Sequence, residues 1–190
     1  GYNRLKPVLP HLSWFFASEI EAMMIAHTFG FSLKSKSQED KNKAFLCQIA
    51  DEFWTDHSPR ILGITAGIIV TIMYINPEGK RVGPVPVKSR YAIADADQFV
   101  GAGDSFRAGY EVEWIKGRNY REKFETGQIV AEDLERLCLA GHLMAACYVT
   151  RTPFNQYGNI PTYNDMAKVI DSGREFSDKE TLLSALNTQE

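Results

Sequence analysis

An α/β fold, a sheet covered by helices, is what this 190-residue sequence predicts. Three observations carry the prediction. Apolar residues recur at helical spacing between Ser18 and Trp54, β-branched runs take over from Arg60, and the pattern after Asp104 is almost wholly helical.

The first helix is expected over Ser18–Phe29, "SEIEAMMIAHTF". Ser18 is its cap, acids fill the first turn, and Ile20, Met23, Met24 and His27 follow at helical spacing before Gly30 closes it. A second helix spans Gln38–Trp54, with Ala44, Phe45, Ile49 and Phe53 on one face, and Pro59 ends the connection. Strands follow at "RILGIT" (60–65) and "IIVTIMYI" (68–75), separated by Ala66 and Gly67. "NPEGK" is a turn signal. "RVGPVPV" reads as a strand near a sheet edge, because its prolines cannot donate to a ladder. "YAIAD" (91–95) is one more short strand. Helices are expected at about 104–116, 119–125 and 131–150, then at "TYNDMAKVIDS" and "SDKETLLSAL". The last two carry capping-box spacing, Thr162 with Asp165 and Ser177 with Glu180.

Composition narrows the function classes. With 44% hydrophobic and 24% charged residues, the chain has the make-up of a soluble globular protein with a real core. Its net charge of -3 leaves no electrostatic footprint for nucleic acid. The lysines of "KSKSQEDKNK" are mixed with acids, as on a solvated loop. Cys47, Cys138 and Cys147 are odd in number, far apart and set in apolar helical contexts, so free thiols are expected. No apolar run reaches the roughly 18 residues of a membrane span, and there is no signal-peptide pattern. A cytoplasmic, non-membrane protein is the expectation. A first residue of Gly1 in place of Met suggests a processed, tagged or truncated start.

The segment "DADQFVGAGDSFRAG" (95–109) concentrates the chemistry. Gly101 and Gly103 can adopt backbone angles closed to other residues and leave room for a ligand against the main chain. If a helix starts near Asp104, the N–H groups of Gly101 to Ser105 converge on one spot that also feels the positive end of the helix dipole. An anion suits that spot, and a phosphoryl group in flight suits it best where water is excluded. A carboxylate beside it, Asp104, has an evident task in accepting the proton of a hydroxyl that attacks phosphorus. The alternative is that Asp104 only caps the helix and the glycines form a strand-to-helix turn.

In its context, "GAGDSFRAGY" closely resembles the signature of the ribokinase-like (pfkB) family of carbohydrate and nucleoside kinases. Other matches fall in the family's order: "FFASEIEAMM", "ILGITAG" before a strand, and "AGHLMAACYVTRTPFNQYGNIPT", over about residues 9–171. The resemblance implies a ribokinase-like three-layer sheet with flanking helices, lacking the family's N-terminal strands and lid. Residues 1–190 would then be the C-terminal, nucleotide-binding part of one such domain. It implies an ATP-dependent transfer of a γ-phosphoryl group to a hydroxyl of a sugar, ribokinase- or fructokinase-like, or of a nucleoside.

By the same resemblance Asp104 is the catalytic base, and Gly101, Ala102 and Gly103 form the anion hole. Glu21 helps to hold Mg²⁺, Thr65 and Gly67 belong to the phosphate-side nucleotide loop, and His142 lies near the adenine. ATP and Mg²⁺ are the implied cofactors and a small sugar or nucleoside the partner; a homodimer or a complementing chain would supply what is missing. The departures are specific. Gln98, Phe99 and Val100 stand where the family has an aspartate and two threonine-like residues, with Asp97 one place early. That leaves a monovalent-cation site without its usual residues. Ser18 replaces an asparagine, and Ile68, Ile69 and Val70 replace polar, lysine and glycine positions. These changes support the competing reading, a non-catalytic ribokinase-like scaffold that binds a partner or nucleotide.

Overall fold

The computed structural model describes residues 2–34, 37–58, 60–94, 99–150 and 161–187. The chain divides into two compact units, Gly1–Val87 with Arg121–Leu134, and Lys88–Tyr120 with Glu135–Glu190.

The first unit contains a four-stranded sheet in the order β1 (Trp14–Ser18), β2 (Arg60–Ala66), β3 (Ile69–Ile75) and β4 (Arg81–Lys88). β1 runs parallel to β2, from Trp14 opposite Ile61 to Ser18 opposite Thr65. A parallel pair needs a crossover, and α1 (Glu19–Phe29) and α2 (Gln38–Phe53) provide it. β2 and β3 form an antiparallel hairpin, Arg60 opposite Ile75 and Ala66 opposite Ile69, closed by Gly67 and Ile68 alone. Strand alternation sends Leu62, Ile64, Met73 and Ile75 to the face packed by Ile25 and Ala26 of α1 and Phe45, Leu46 and Ile49 of α2. Phe45, Leu46 and Ile49 are completely buried, and each such side chain contributes about 1.5–3 kcal/mol by leaving water. Tyr74 lies on the other face, and its hydroxyl donates to the Phe124 carbonyl at 2.7 Å.

β4, with Pro84 and Pro86, is an edge strand as its prolines predict. β1 was not anticipated. It is five residues long, and its aromatic run Trp14-Phe15-Phe16 has no polar alternation to mark it.

The second unit is built on α3 (Ala102–Lys116) and, from Glu135 on, α5 (Ala131–Val149), with α6 (Tyr163–Asp171) and α7 (Lys179–Asn187); α4 (Tyr120–Glu125) belongs to the first unit from Arg121 on. The carboxylate of Glu113 on α3 is almost fully buried. It accepts from Tyr120 Oη at 3.1 Å and from Arg136 Nε at 2.7 Å. Tyr110, Trp114 and Tyr120 stack in series beside it, with ring centroids 6.5 and 6.0 Å apart. Buried charge and stacked rings thus fix the axis of α3 from its middle to its end.

Two expectations need correction. Tyr91–Ala94 forms no strand; Phe176 N–H donates to the Arg90 carbonyl and Ala94 N–H to the Ser177 carbonyl, two separate bonds without a ladder. The cap of α7 is Asp178 in place of Ser177. The helix begins at Lys179, so the carboxylate of Asp178 is placed to accept from Thr181 N–H at 2.9 Å. The Thr162–Asp165 box is formed as expected. All three cysteines are free thiols, Cys138 and Cys147 buried.

Candidate functional site

α3 opens on Gly101, whose φ of 91° and ψ of -5° place it in the left-handed region. No side chain caps this helix end. A Cβ on Gly101 would stand 2.7 Å from the Tyr148 hydroxyl and 2.9 Å from its ring, so backbone angle and packing both demand glycine. At Gly103 the reverse holds. Its φ is ordinary, and apart from its chain neighbours and the backbone of its own helix nothing lies within 4 Å of the position its Cβ would take. The turn is therefore tight below Gly101 and open above Gly103.

The donor set is narrower than the sequence alone suggests. Ala102 N–H donates to the Phe99 carbonyl at 3.1 Å and Ser105 N–H to the Gly101 carbonyl at 2.9 Å. Ala102 thus braces the turn. Gly103 and Asp104 lie in the first turn, where an amide has no intrahelical carbonyl to reach. Their N–H groups and the helix dipole favour an anion at the open face.

Asp104 is the third residue of α3, with a side chain 84% exposed, and its Oδ1 accepts from Arg107 Nη1 at 3.1 Å. The carboxylate is therefore not consumed as a cap for its own helix. Phe99 and Val100, just before the turn, are 70% and 83% exposed. Two residues of this region, Arg107 and Tyr148, escape sequence reasoning. Arg107 is visible only as a base three places after Asp104, and Tyr148 only by its approach to Gly101.

The other residues implied by the resemblance have definite places. His142 is buried on α5, its ring 5.3 Å from Phe106 and nearly perpendicular to it. In the first unit, Thr65 lies in β2, paired with Ser18 on one side and Val70 on the other, its hydroxyl 3.5 Å from the Ala17 carbonyl. Gly67 takes a φ of 58° in the two-residue hairpin turn, with open space around it. Glu21 sits exposed in the first turn of α1 and forms a capping box with Ser18. Its Oε2 accepts from Ser18 N–H at 2.7 Å and from the hydroxyl at 2.9 Å. Asp97, Gln98, Arg151 and Ile160 lie outside the described residues.

The structure has counterparts among solved proteins. It matches the fructokinase of Xylella fastidiosa, solved with bound ATP, at a TM-score of 0.62 and 16% identity, over 90% of this chain and 46% of that one. The fold is ribokinase-like. The nucleoside kinase of Methanocaldococcus jannaschii, an archaeal member of the ribokinase family, matches at a TM-score of 0.56 and 16% identity, over 90% of this chain and 44% of its own. The nucleoside kinase of Burkholderia thailandensis, solved with inosine, gives 0.56 and 14%, over 94% and 46%. This chain thus spans less than half the length of these kinases. No protein-family model matches the sequence, and no curated protein matches it. Among the described residues, no helix is long and apolar enough to cross a membrane.

Proposed function

We propose that this chain carries the phosphoryl-transfer turn of an ATP-dependent kinase acting on a hydroxyl of a sugar or nucleoside. One observation carries the proposal: the uncapped start of α3, where Gly101 makes the turn, Gly103 leaves it open and Asp104 stands exposed in the first turn. The ribokinase-like fold, matched in a fructokinase solved with ATP and a nucleoside kinase solved with inosine, supports it.

In this reading the amides of Gly103 and Asp104 stabilise charge on the transferring phosphoryl group. The Asp104 carboxylate takes the proton of the acceptor hydroxyl as its oxygen bonds to phosphorus and the bond to the departing diphosphate breaks. Thr65 and Gly67 are assigned to nucleotide phosphates and His142 to the adenine side. Among the described residues no three His, Cys, Asp or Glu side chains cluster as a metal site. Magnesium keeps most of its waters and needs only one or two carboxylates, so the exposed Glu21 fits as a contact through such a water. The ion would neutralise phosphate charge. The acceptor contacts are assigned to the part of the fold that this chain does not cover, since it matches only 44–46% of the length of those kinases.

The competing reading is a non-catalytic scaffold, favoured by the exposed apolar pair Phe99 and Val100 immediately before the turn. The two separate in the full gene product containing this chain, assayed with ATP and Mg²⁺ against ribose, fructose, adenosine and inosine. Acceptor-dependent ADP formation is expected. Asp104→Asn should lower it by about 10²–10⁴-fold while ATP, by calorimetry, still binds no more weakly than to the parent. Equal turnover in the mutant would remove Asp104 from the chemistry; no turnover in either protein would favour the scaffold.

A further inference from the structure

Arg107 stands one turn into α3, and its Nη1 lies 3.1 Å from Oδ1 of Asp104. Both side chains are open to solvent, 48% and 84% exposed. Pairs this exposed shift an equilibrium by about fivefold at most, so this one opens readily. A phosphate arriving at the open face of Gly103 would meet two side chains of opposite sign on the same helix turn. Asp104 would repel it. Arg107 would attract it, with a planar fork that matches phosphate oxygens better than any other side chain.

We infer that Arg107 is exchanged between Asp104 and the phosphate. Before an anion arrives it holds the carboxylate; once a phosphate sits at the start of α3, the guanidinium transfers to a phosphate oxygen. Asp104 is then left without its counter-ion and able to accept the proton of the acceptor. Anion binding and base release become one event, and Arg107 is the positioning residue that couples them. The inference rests on the phosphotransfer reading of this turn. A simpler account of the pair is an acid-to-base contact along a helix, which stabilises α3 and does nothing else. The two accounts differ in what they predict for anion affinity.

The test is a double-mutant cycle in the full gene product, read by calorimetry with two probes, inorganic tripolyphosphate and ATP with Mg²⁺. Neither side chain is part of the core, so the variants Asp104→Asn, Arg107→Met and their combination leave packing intact. Arg107→Met should weaken tripolyphosphate binding by about tenfold, the scale of a charge-assisted contact to phosphate. Asp104→Asn removes repulsion in either background, but only with Arg107 present does it also remove the pair that binding has to break. It should therefore tighten binding more in the presence of Arg107, by a further factor of about two to five. Equal tightening in both backgrounds overturns the exchange and leaves the phosphotransfer reading standing. Failure of both probes to bind any variant overturns that reading, and the exchange with it.

Discussion

α1 and α3 begin in opposite ways. The start of α1 is closed by its own side chains: Ser18 accepts from Glu21 N–H, and Glu21 reaches back to Ser18. Thr162 and Asp165 do the same for α6, and at α2 the Ser37 side chain accepts from Asp40 N–H. α3 has a glycine where these helices have a hydroxyl, and the acid in its first turn pairs with Arg107 in place of a backbone amide. A capped start has spent its donors on stability. An uncapped one leaves them open, and with glycine at the cap position it forgoes only a few tenths of a kcal/mol.

The contrast is sharpest in substitutions. Gly101→Ala should have the largest effect, because it forces a Cβ into a left-handed backbone and against Tyr148. A penalty of about 3 kcal/mol is expected from the sum of the two costs, read as a fall in the urea midpoint with an unchanged slope. Adding Tyr148→Ala should recover only the steric part. Full recovery would show that the positive φ costs nothing here.

Ser18→Ala is next, at about 1 kcal/mol for the lost cap of α1. Glu21→Gln keeps the box, since an amide oxygen can also accept from the Ser18 amide. Its stability should stay within about 0.5 kcal/mol of the parent, so a loss of Mg²⁺-dependent turnover in that variant would isolate a role for Glu21 beyond the cap. Unchanged Mg²⁺ dependence would leave Glu21 a purely structural residue. A smaller version of the comparison lies at α7, where Asp178→Ala should lower the urea midpoint and Ser177→Ala should leave it in place. The opposite ranking would restore Ser177 as the cap.

These cases also show what a sequence reader can and cannot see. α2 is legible because its apolar face recurs every three to four residues, and the β2–β3 hairpin because β-branched runs flank a glycine. β1 is hidden by its shortness, and the cap of α7 by a shift of a single residue in where the helix starts. At the start of α3, the glycine turn is legible because it is tied to a local backbone form. The pairing of Asp104 with Arg107 is not, since a base three places after an acid occurs on most solvated helices. Tyr148 beneath Gly101 depends on how α5 approaches the start of α3, and no local pattern encodes that.

Gly103→Ala should change stability least and therefore separates folding from function most cleanly. The residue lies within α3 with an ordinary φ and nothing near its Cβ position. Alanine is the better helix former, so stability should stay within about 0.5 kcal/mol of the parent, on the stabilising side. The added methyl group nevertheless projects into the space where an anion would approach the Gly103 and Asp104 amides. Tripolyphosphate affinity should fall while the urea midpoint holds or rises. If affinity and midpoint both stay unchanged, the open face above Gly103 is not the anion site, and the missing cap on α3 needs another explanation. If both fall together, Gly103 is held by packing, as Gly101 is, and the contrast between the two glycines of the turn disappears.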